Sequence, residues 1–307
     1  MSITGRAGLA VQGATPTTCE EAGLFDGISV RFWGTRGSFP VADSRFMRYG
    51  GNTSCVEVRV AGRLFILDAG SGLIGLGQML QHTGPIDLLL SHLHHDHVTG
   101  LAFFQPLFKP CTTLRIHCGN LGGESARAAL DRMFDEPLFP LRLDQLSARI
   151  EHIGFEAGET LHFEDGLKVR TCPLVHPGGA TGYRFDHNGR SLCYVSDVEH
   201  AANGPSPSLV SFVEGADLVI YDTTYTEQEY VNHRGWGHST WEAGVELCKA
   251  AGARSLAAFH HHPFRDDAAL EAVEARLAEA LPGSFVAREV QSCVLSTHHE
   301  YPFMIGV

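Results

Sequence analysis

The chain has 307 residues, of which 44% are hydrophobic and 19% charged, a globular composition that excludes collagen, coiled coil and wholesale disorder. Its 23 basic and 35 acidic residues give a formal net charge of −12, which argues against a broad basic face for wrapping nucleic acid. Its 18 histidines are a surplus, and histidine is the commonest metal ligand and the usual proton carrier near neutral pH.

The N-terminal segment and the cysteines bear on the compartment. Residues 1–27 show no clear period and no signal-peptide pattern, so we predict a flexible N-terminal tail there. None of the eight cysteines lies in a CxxC pair and most lie in apolar runs, which favours buried reduced thiols. No apolar run is long enough to span a membrane. We therefore expect a cytoplasmic protein with no membrane partner.

The first half of the chain is rich in strand signals. ISVRFWG, which begins at residue 28, alternates like a strand, and the apolar runs flanking Ala61-Gly62 predict a hairpin. Residues 72–82 predict a glycine-weakened helix. IDLLLSH, which ends at His92, predicts a short buried strand. A further strand is predicted in TLRIHC and a helix in ESARAALDRMF.

The second half alternates strands with helices. Residues 148–175 predict strands between acidic turns, and Asn188-Gly189 predicts a hairpin. DLVIYD and SLAAFHH are predicted as buried strands. Ser239 and Glu242 form a capping box that opens a predicted helix, and DDAALEAVEARLAEAL predicts another.

Taken together, these elements predict two mixed β-sheets covered by outer helices. No linker, charge block or internal repeat interrupts residues 28–307, so a single domain is the simplest expectation for that range. The sequence leaves the oligomeric state open, with a homodimer among the alternatives.

The strongest motif is HLHHDH, residues 92–97, which directly follows a predicted buried strand. A short loop at a strand end can direct His92 and His94 one way, and Asp96 with His97 the other. Imidazole and carboxylate groups in this arrangement would build two adjacent metal sites. We therefore interpret the loop as the core of a binuclear metal centre.

Two metal sites need further ligands, and three later residues occupy the same kind of position. His176, Asp197 and His260 each follow a predicted strand directly, as the HLHHDH loop does. His261 and His262 compete with His260, but His260 comes directly off its strand.

This constellation resembles the metallo-β-lactamase superfamily of binuclear hydrolases from about residue 28 to residue 265. The resemblance rests on six segments: LDAGSG, HLHHDH, PLVHPGGATGYRF, YVSDVE, GWGHST and FHHHP. It implies an α/β fold, an αββα sandwich of two mixed β-sheets flanked by helices, with the metals at one edge between the sheets.

The resemblance also implies which residues would bind which metal. His92, His94 and His176 would hold one metal, and Asp96, His97 and His260 the other. Asp197 would bridge both, and Asp68 would orient a ligand rather than bind metal. The two divalent ions would be zinc by default, while Asp96 and Asp197 leave manganese or iron open.

The closest branch in motif is that of tRNase Z and small-substrate phosphodiesterases. Asp197 stands where the best-known β-lactamases of the superfamily carry a cysteine ligand, and a carboxylate suits phosphodiesterases better. The GHST segment implies that His238 lies near the scissile phosphate and pairs with an acidic residue. Asp222 is the candidate partner, although Tyr221 stands where that branch has a histidine. An alternative role for His238 is to cap the following helix with Ser239.

The implied reaction is hydrolysis of a phosphodiester by a hydroxide that bridges the metals, with His238 as the acid. With three lysines and a charge of −12, we expect small anionic diesters, such as cyclic nucleotides or cyclic phosphates, and regard nucleic acid as an improbable partner. Phe134 and Phe139 are candidates for a pocket wall that stacks a base, with core packing as the alternative. Candidate phosphate contacts are Arg36, Asn52 and Arg234.

Three other functions remain alternatives. The same centre could hydrolyse a thioester, lactone or β-lactam, in which case His238 would be incidental. A redox di-iron enzyme is disfavoured because no flavin-binding segment follows. A metal-stabilised sensor is disfavoured because every expected ligand is present.

Overall fold

The computed structural model describes residues 27–81, 84–119, 122 and 124–305. The predicted tail over 1–27 lies outside these residues except for Gly27. Fifteen strands are present among the described residues: β1 (Ile28–Gly34), β2 (Cys55–Val60), β3 (Arg63–Leu67), β4 (Ile86–Leu90), β5 (Thr113–Cys118), β6 (Arg149–Gly154), β7 (Thr160–His162), β8 (Lys168–Leu174), β9 (Ala180–His187), β10 (Arg190–Val195), β11 (Leu218–Asp222), β12 (Leu256–Phe259), β13 (Phe285–Val286), β14 (Ser292–Leu295) and β15 (Phe303–Ile305).

The described residues also form seven α-helices: α1 (Gly72–Met79), α2 (His95–Val98), α3 (Ala126–Asp131), α4 (Pro207–Val213), α5 (Glu227–Tyr230), α6 (Trp241–Ala251) and α7 (Asp267–Ala280). Short 3-10 turns lie between several of these elements. No helix among the described residues has the length and apolar character that crossing a membrane requires.

The strands form two mixed sheets. The first has the order β15-β14-β1-β2-β3-β4-β5-β6, and the second β13-β12-β11-β10-β9-β8-β7. In each sheet one run of neighbours is parallel, from β3 to β6 in the first and from β10 to β13 in the second. The predicted pair of mixed sheets is therefore confirmed.

Alternating side chains of the strands separate an inner core from two outer cores. Phe65 of β3 faces Phe185 of the second sheet, with ring centroids 5.2 Å apart, and both belong to the inner core. Leu64 and Ile66 of β3 point outward and pack under α1 and α3. Cys193 of β10 likewise points outward, toward α4, α6 and α7. This period of two gives the helix–sheet–sheet–helix layering.

Several elements differ from the sequence prediction at their ends. The helix predicted over 72–82 ends at Met79, and the one predicted in ESARAALDRMF is limited to Ala126–Asp131. The predicted capping box at Ser239 and Glu242 is wrong. Thr240 caps α6 instead, because its side chain accepts a hydrogen bond from the Ala243 N–H. Ser239 is buried and bonds to two other side chains, so its hydroxyl is not available as a cap.

The cap on α6 generates a stability prediction. Replacing an N-cap threonine by alanine costs about 1 kcal/mol, so Thr240→Ala should lower the free energy of unfolding by that amount. Thr240→Ser keeps the accepting oxygen and should retain most of the stability. Urea unfolding of both variants measures the difference. An unchanged midpoint for Thr240→Ala would show that another group caps the helix.

Candidate metal centre

Strand ends from both sheets converge on one cluster of histidines and aspartates. In the first sheet, Asp68 follows β3 and His92 lies just after β4. In the second sheet, Asp197 lies just after β10, Asp222 ends β11 and His260 follows β12. Because the carboxyl ends of neighbouring parallel strands lie at the same edge of a sheet, the two sheets bring these residues together between them.

The first ligand group consists of His92, His94 and His176, with one nitrogen from each ring within 4.8 Å of the others. His94 Nδ1 and His176 Nε2 are 3.0 Å apart. The His176 Nδ1–H donates to the carbonyl of Gly237 at 2.8 Å, which leaves the Nε2 lone pair free for the centre. The buried Nε2 of His92 has no hydrogen-bond partner among the described residues.

The second ligand group consists of Asp96, His97 and His260. The Nε2 atoms of His97 and His260 are 3.3 Å apart, and the His260 Nε2 lies 3.2 Å from Asp96 Oδ2. His97 and His260 are wholly buried. Their ring nitrogens therefore converge on one point, away from solvent.

Asp197 lies between the two groups and directs one oxygen to each. Its Oδ1 is 3.1 Å from His97 Nε2 and 3.2 Å from His260 Nε2. Its Oδ2 is 3.7 Å from His176 Nε2 and 3.8 Å from His92 Nε2. This is the geometry expected of a bridging carboxylate.

The electrostatics of the cluster favour positive charge at its centre. Burial lowers the pKa of His92, and neighbouring His97 lowers it further, so His92 is a neutral imidazole with a lone pair to offer. Burial also opposes a charged His97, but Asp197, Asp96 and Asp68 outweigh it and raise the pKa of His97 well above its ordinary value. Divalent cations would satisfy the same carboxylates. The donor set of imidazoles and carboxylates therefore fits divalent metals.

Asp68 is a wholly buried carboxylate that joins the ligand loop to both sheets. The His97 Nδ1–H donates to its Oδ2 at 2.8 Å, which fixes the tautomer with Nε2 free. Its two oxygens also accept from the Ser91 N–H, the Ser91 hydroxyl and the Tyr194 hydroxyl, at 2.7, 2.8 and 2.7 Å. Asp68 thus holds His97 in position but is not itself a member of either ligand group.

Three site residues leave their strands in the left-handed backbone region. The φ angles are +60° for Asp68, +58° for Asp197 and +57° for His260. Such residues cost on the order of 1 kcal/mol each and persist only where the surroundings determine them. Here each turn bends the chain from the strand end toward the shared centre.

Two glycines let neighbouring loops lie directly against ligand rings. A Cβ on Gly37 would come within 2.3 Å of the His260 ring, and one on Gly237 within 2.4 Å of the His176 ring. Next to Gly37, the Ser38 N–H donates to Asp96 Oδ2 at 2.6 Å. The loops on both sides of the cluster are therefore packed against its candidate ligands.

His238 and Asp222 form a pair beside the two groups. The His238 Nδ1–H donates to Asp222 Oδ2 at 2.8 Å, and the other oxygen of Asp222 accepts from the N–H and hydroxyl of Thr224. Burial opposes the charged imidazole, but the Asp222 carboxylate outweighs it and raises the pKa of His238 to about 9. The predicted pairing is present, and the helix cap is Thr240 rather than His238 or Ser239.

Other predicted site residues lie elsewhere or have other partners. Arg36 is wholly buried and donates to the carbonyls of Gly50 and Arg265, so its guanidinium supports the loops and does not face substrate. The Asn52 side-chain amide donates to Glu289. His261 is buried and donates to the Ala287 carbonyl.

The aromatic wall predicted from Phe134 and Phe139 is not a pocket wall. Phe134 is 1% exposed and belongs to the outer core of the first sheet, with the Phe139 ring 5.3 Å away. Core packing, the alternative, describes both residues. Arg234 is exposed, and its guanidinium lies 5.9 Å from the centroid of the Tyr230 ring.

The sequence did not indicate a role for four residues that hold the site residues in position. Ser91 and Tyr194 hold Asp68, and Thr224 lies 3.0 Å from His260 Nδ1. Glu199 accepts from the N–H groups of Gly235 and Gly237 and so holds the loop that carries Gly237 to His176. The only signal available was adjacency: Ser91 precedes the HLHHDH loop, and Glu199 lies two residues after Asp197.

Comparison with known proteins agrees with this geometry. The family model described as the beta-lactamase superfamily domain matches residues 63–261. The curated Ribonuclease Z of Halobacterium salinarum is 27% identical over an alignment that covers 76% of this chain and 86% of that protein. Ribonuclease Z of Pyrococcus furiosus is 25% identical over an alignment that covers 77% of this chain and 87% of that protein.

Solved structures share the fold. A diphosphatase from the PhnP family has a TM-score of 0.65 at 16% identity, with 91% of this chain and 98% of that chain covered. Human tRNase Z, short form, has a TM-score of 0.62 at 19% identity, with 87% and 98% covered. The zinc-bound PqqB of Methylobacterium extorquens has a TM-score of 0.62 at 17% identity, with 86% and 99% covered.

These relatives correct one sequence prediction. Nucleic acid was judged an improbable partner because of the net charge and the scarcity of lysine. That exclusion is wrong, since curated relatives across most of the chain are ribonucleases. Net charge describes the whole molecule and does not exclude a nucleic acid contact confined to one edge of the sheets.

The position of Asp68 predicts its effect on metal affinity. Asp68→Asn removes the charge that fixes the His97 tautomer and should weaken zinc binding about 10- to 100-fold. Competition with a chromogenic chelator measures this affinity. Asp87→Asn is a matched control, because Asp87 is equally buried and bonds to His117 at 3.1 Å in the first sheet. The control should retain its metal affinity, and equal losses in the two variants would contradict the assigned role.

Proposed function

The chain belongs to the beta-lactamase superfamily, and we propose that it is a metal-dependent phosphodiesterase. The observation that carries this proposal is the His238–Asp222 pair, which lies beside a ligand cluster built entirely from histidine and aspartate. The ribonuclease Z relatives support the same reaction.

The two metal positions would be held by the groups described above. His92, His94 and His176 would hold one ion, and Asp96, His97 and His260 the other, with Asp197 between them. Bound divalent ions activate water and neutralise charge on a phosphoryl group. We propose zinc, because five of the seven side chains are imidazoles and the fold neighbour PqqB binds zinc.

The protein's own contribution is to place a proton where the ester bond breaks. Asp222 holds the Nδ1–H of His238, so the Nε2 atom is the one that faces substrate. That atom has no hydrogen-bond partner among the described residues, and the side chain keeps 13% of its surface exposed. His238 can therefore donate its Nε2 proton to the leaving oxygen, while Asp222 stabilises the charged ring before the transfer.

Small phosphodiesters and RNA both contain the scissile group. The predicted small or cyclic diesters are therefore proposed as substrates beside RNA. For the compartment, we propose the reducing cytoplasm. Six of the seven cysteines in the described part of the chain are buried, and all seven are free.

The acid role makes a specific kinetic prediction. His238→Ala should lower kcat about 10²- to 10⁴-fold on a diester with an alkoxide leaving group, which needs a proton. It should lower kcat much less on bis-nitrophenyl phosphate, because nitrophenolate leaves without one. His187→Ala removes an imidazole from the distal end of β9 and is the control. Equal losses on both diesters would argue against a general acid.

A substrate panel tests the reaction class in the same experiment. The enzyme should hydrolyse phosphodiesters, including a cyclic diester and a short RNA, in preference to a thioester, a lactone and nitrocefin. A preference for the carbonyl esters would overturn the phosphodiesterase proposal in favour of the carbonyl alternative, provided that His238→Ala leaves the rate on those esters unchanged.

A further inference from the structure

We propose that a continuous belt of aromatic rings beside the metal centre is a base-stacking subsite, which makes the enzyme selective for nucleotide diesters over diesters without bases. This inference rests on the proposed phosphodiesterase activity. The aromatic belt consists of six rings, in spatial order Phe39, Phe264, His262, Tyr225, His233 and Trp236.

The rings form an unbroken series of contacts. Phe39 and Phe264 lie 5.5 Å apart between centroids, and Phe264 lies 5.7 Å from His262. Tyr225 lies 5.9 Å from His262 and is stacked on His233 at 4.4 Å. The last step, from His233 to Trp236, is 5.2 Å in an edge-on arrangement. Four of these distances fall within the range of about 4.5–7 Å that is typical of interacting aromatic pairs, and the stacked Tyr225–His233 pair is slightly closer.

Three members of the belt are unusually exposed for their size. Phe39 is 43% exposed, Trp236 61% and Phe264 74%. Tyr225 is only 4% exposed and packs between His262 and His233, the rings that join it to the two ends of the belt. Large apolar side chains held together at a surface commonly mark a binding site. The belt therefore offers exposed aromatic rings to a ligand, and they are joined through the buried ring of Tyr225.

Each end of the belt is tied to the metal centre. Phe39 follows Ser38, whose N–H donates to Asp96 at 2.6 Å. At the other end, Trp236 precedes Gly237, whose carbonyl accepts from His176 at 2.8 Å. In the middle, the Tyr225 ring lies 6.0 Å from the ring of His238. A ligand stacked on the belt would thus place its neighbouring phosphate at the proposed acid.

This placement favours a nucleotide chain over an apolar protein surface as the occupant. A nucleotide alternates flat π-faces with phosphates, which matches a row of rings beside a centre whose divalent ions, once bound, would attract phosphate. Because every base has a π-face, such stacking binds bases with little sequence preference.

The test compares two diesters that differ only in their bases. The wild-type kcat/KM should be about tenfold or more higher for adenylyl-adenosine than for the abasic diester with the same sugar–phosphate backbone. Phe264→Ala and Trp236→Ala should each lower kcat/KM for the base-bearing diester by about fivefold or more, and leave the abasic rate unchanged. Phe264→Trp, which keeps an aromatic ring at this position, should retain the wild-type kcat/KM for the base-bearing diester.

The control variant is Phe303→Ala. Phe303 is 50% exposed and lies on β15, the outer edge strand of the first sheet. Its removal should change neither rate. Melting temperature and metal content, which should match the wild type in every variant, separate loss of a subsite from loss of structure.

Fluorescence gives a second readout that does not depend on turnover. Trp33 and Trp241 are 9% and 5% exposed, so an added base can contact chiefly Trp236. Adenosine monophosphate should quench the emission, ribose 5-phosphate should not, and Trp236→Phe should abolish the quenching.

The outcomes separate the two proposals. Equal kcat/KM on both diesters, unaffected by the belt variants, would overturn the base-stacking subsite and leave the phosphodiesterase intact. If those variants instead changed only self-association, the occupant would be a second copy of the chain, which also overturns the proposal. Hydrolysis of neither diester would contradict the phosphodiesterase, whereas selective quenching by adenosine monophosphate would still support the subsite.

Discussion

The buried carboxylate of Asp68 is the contact on which the architecture of the site depends. It accepts from Ser91 at the end of β4, from Tyr194 of β10 and from His97 of the ligand loop. One side chain therefore connects the first sheet, the second sheet and the HLHHDH loop. Because such a network is worth most when every member is satisfied, it specifies one arrangement of the sheets and one direction for His97.

Around that anchor, the two sheets supply different halves of the site. The first sheet delivers His92, His94, Asp96 and His97 on one loop, whereas the second delivers its ligands singly from separate strand ends. Asp197 directs one carboxylate oxygen to each group. The left-handed φ angles at Asp197 and His260 show that the chain accepts backbone strain to direct these side chains inward.

The sequence was most informative where chemistry and strand periodicity coincide. Seven predicted ligands follow strands, and strand ends were predictable from apolar runs such as IDLLLSH, which ends at His92, so both the fold and the cluster could be predicted. The roles of residues that depend on partners distant in sequence could not be predicted. Arg36 looked like a phosphate contact, yet it is wholly buried among backbone carbonyls, which no local pattern indicates.

The positions of aromatic side chains likewise depend on contacts that the sequence does not show. Phe134 and Phe139 lie in an exposed-looking segment but pack in a core, whereas Phe39 and Phe264 are 225 residues apart in sequence and meet only in the fold. The prediction of the helix cap was wrong for a related reason. Ser239 and Thr240 are both suitable N-cap residues, but the Ser239 hydroxyl is hydrogen-bonded to His200 and Tyr221, which only the tertiary structure shows. Sequence patterns predicted which segments form the site, and tertiary contacts decided which side chains face it.

The cluster around Asp197 should bind two divalent ions. Anomalous diffraction from crystals grown with zinc, recorded on both sides of the zinc edge, tests it most directly. We expect two peaks, one bounded by His92, His94 and His176 and the other by Asp96, His97 and His260. A map without peaks in the cluster, or with the zinc bound elsewhere, would contradict it.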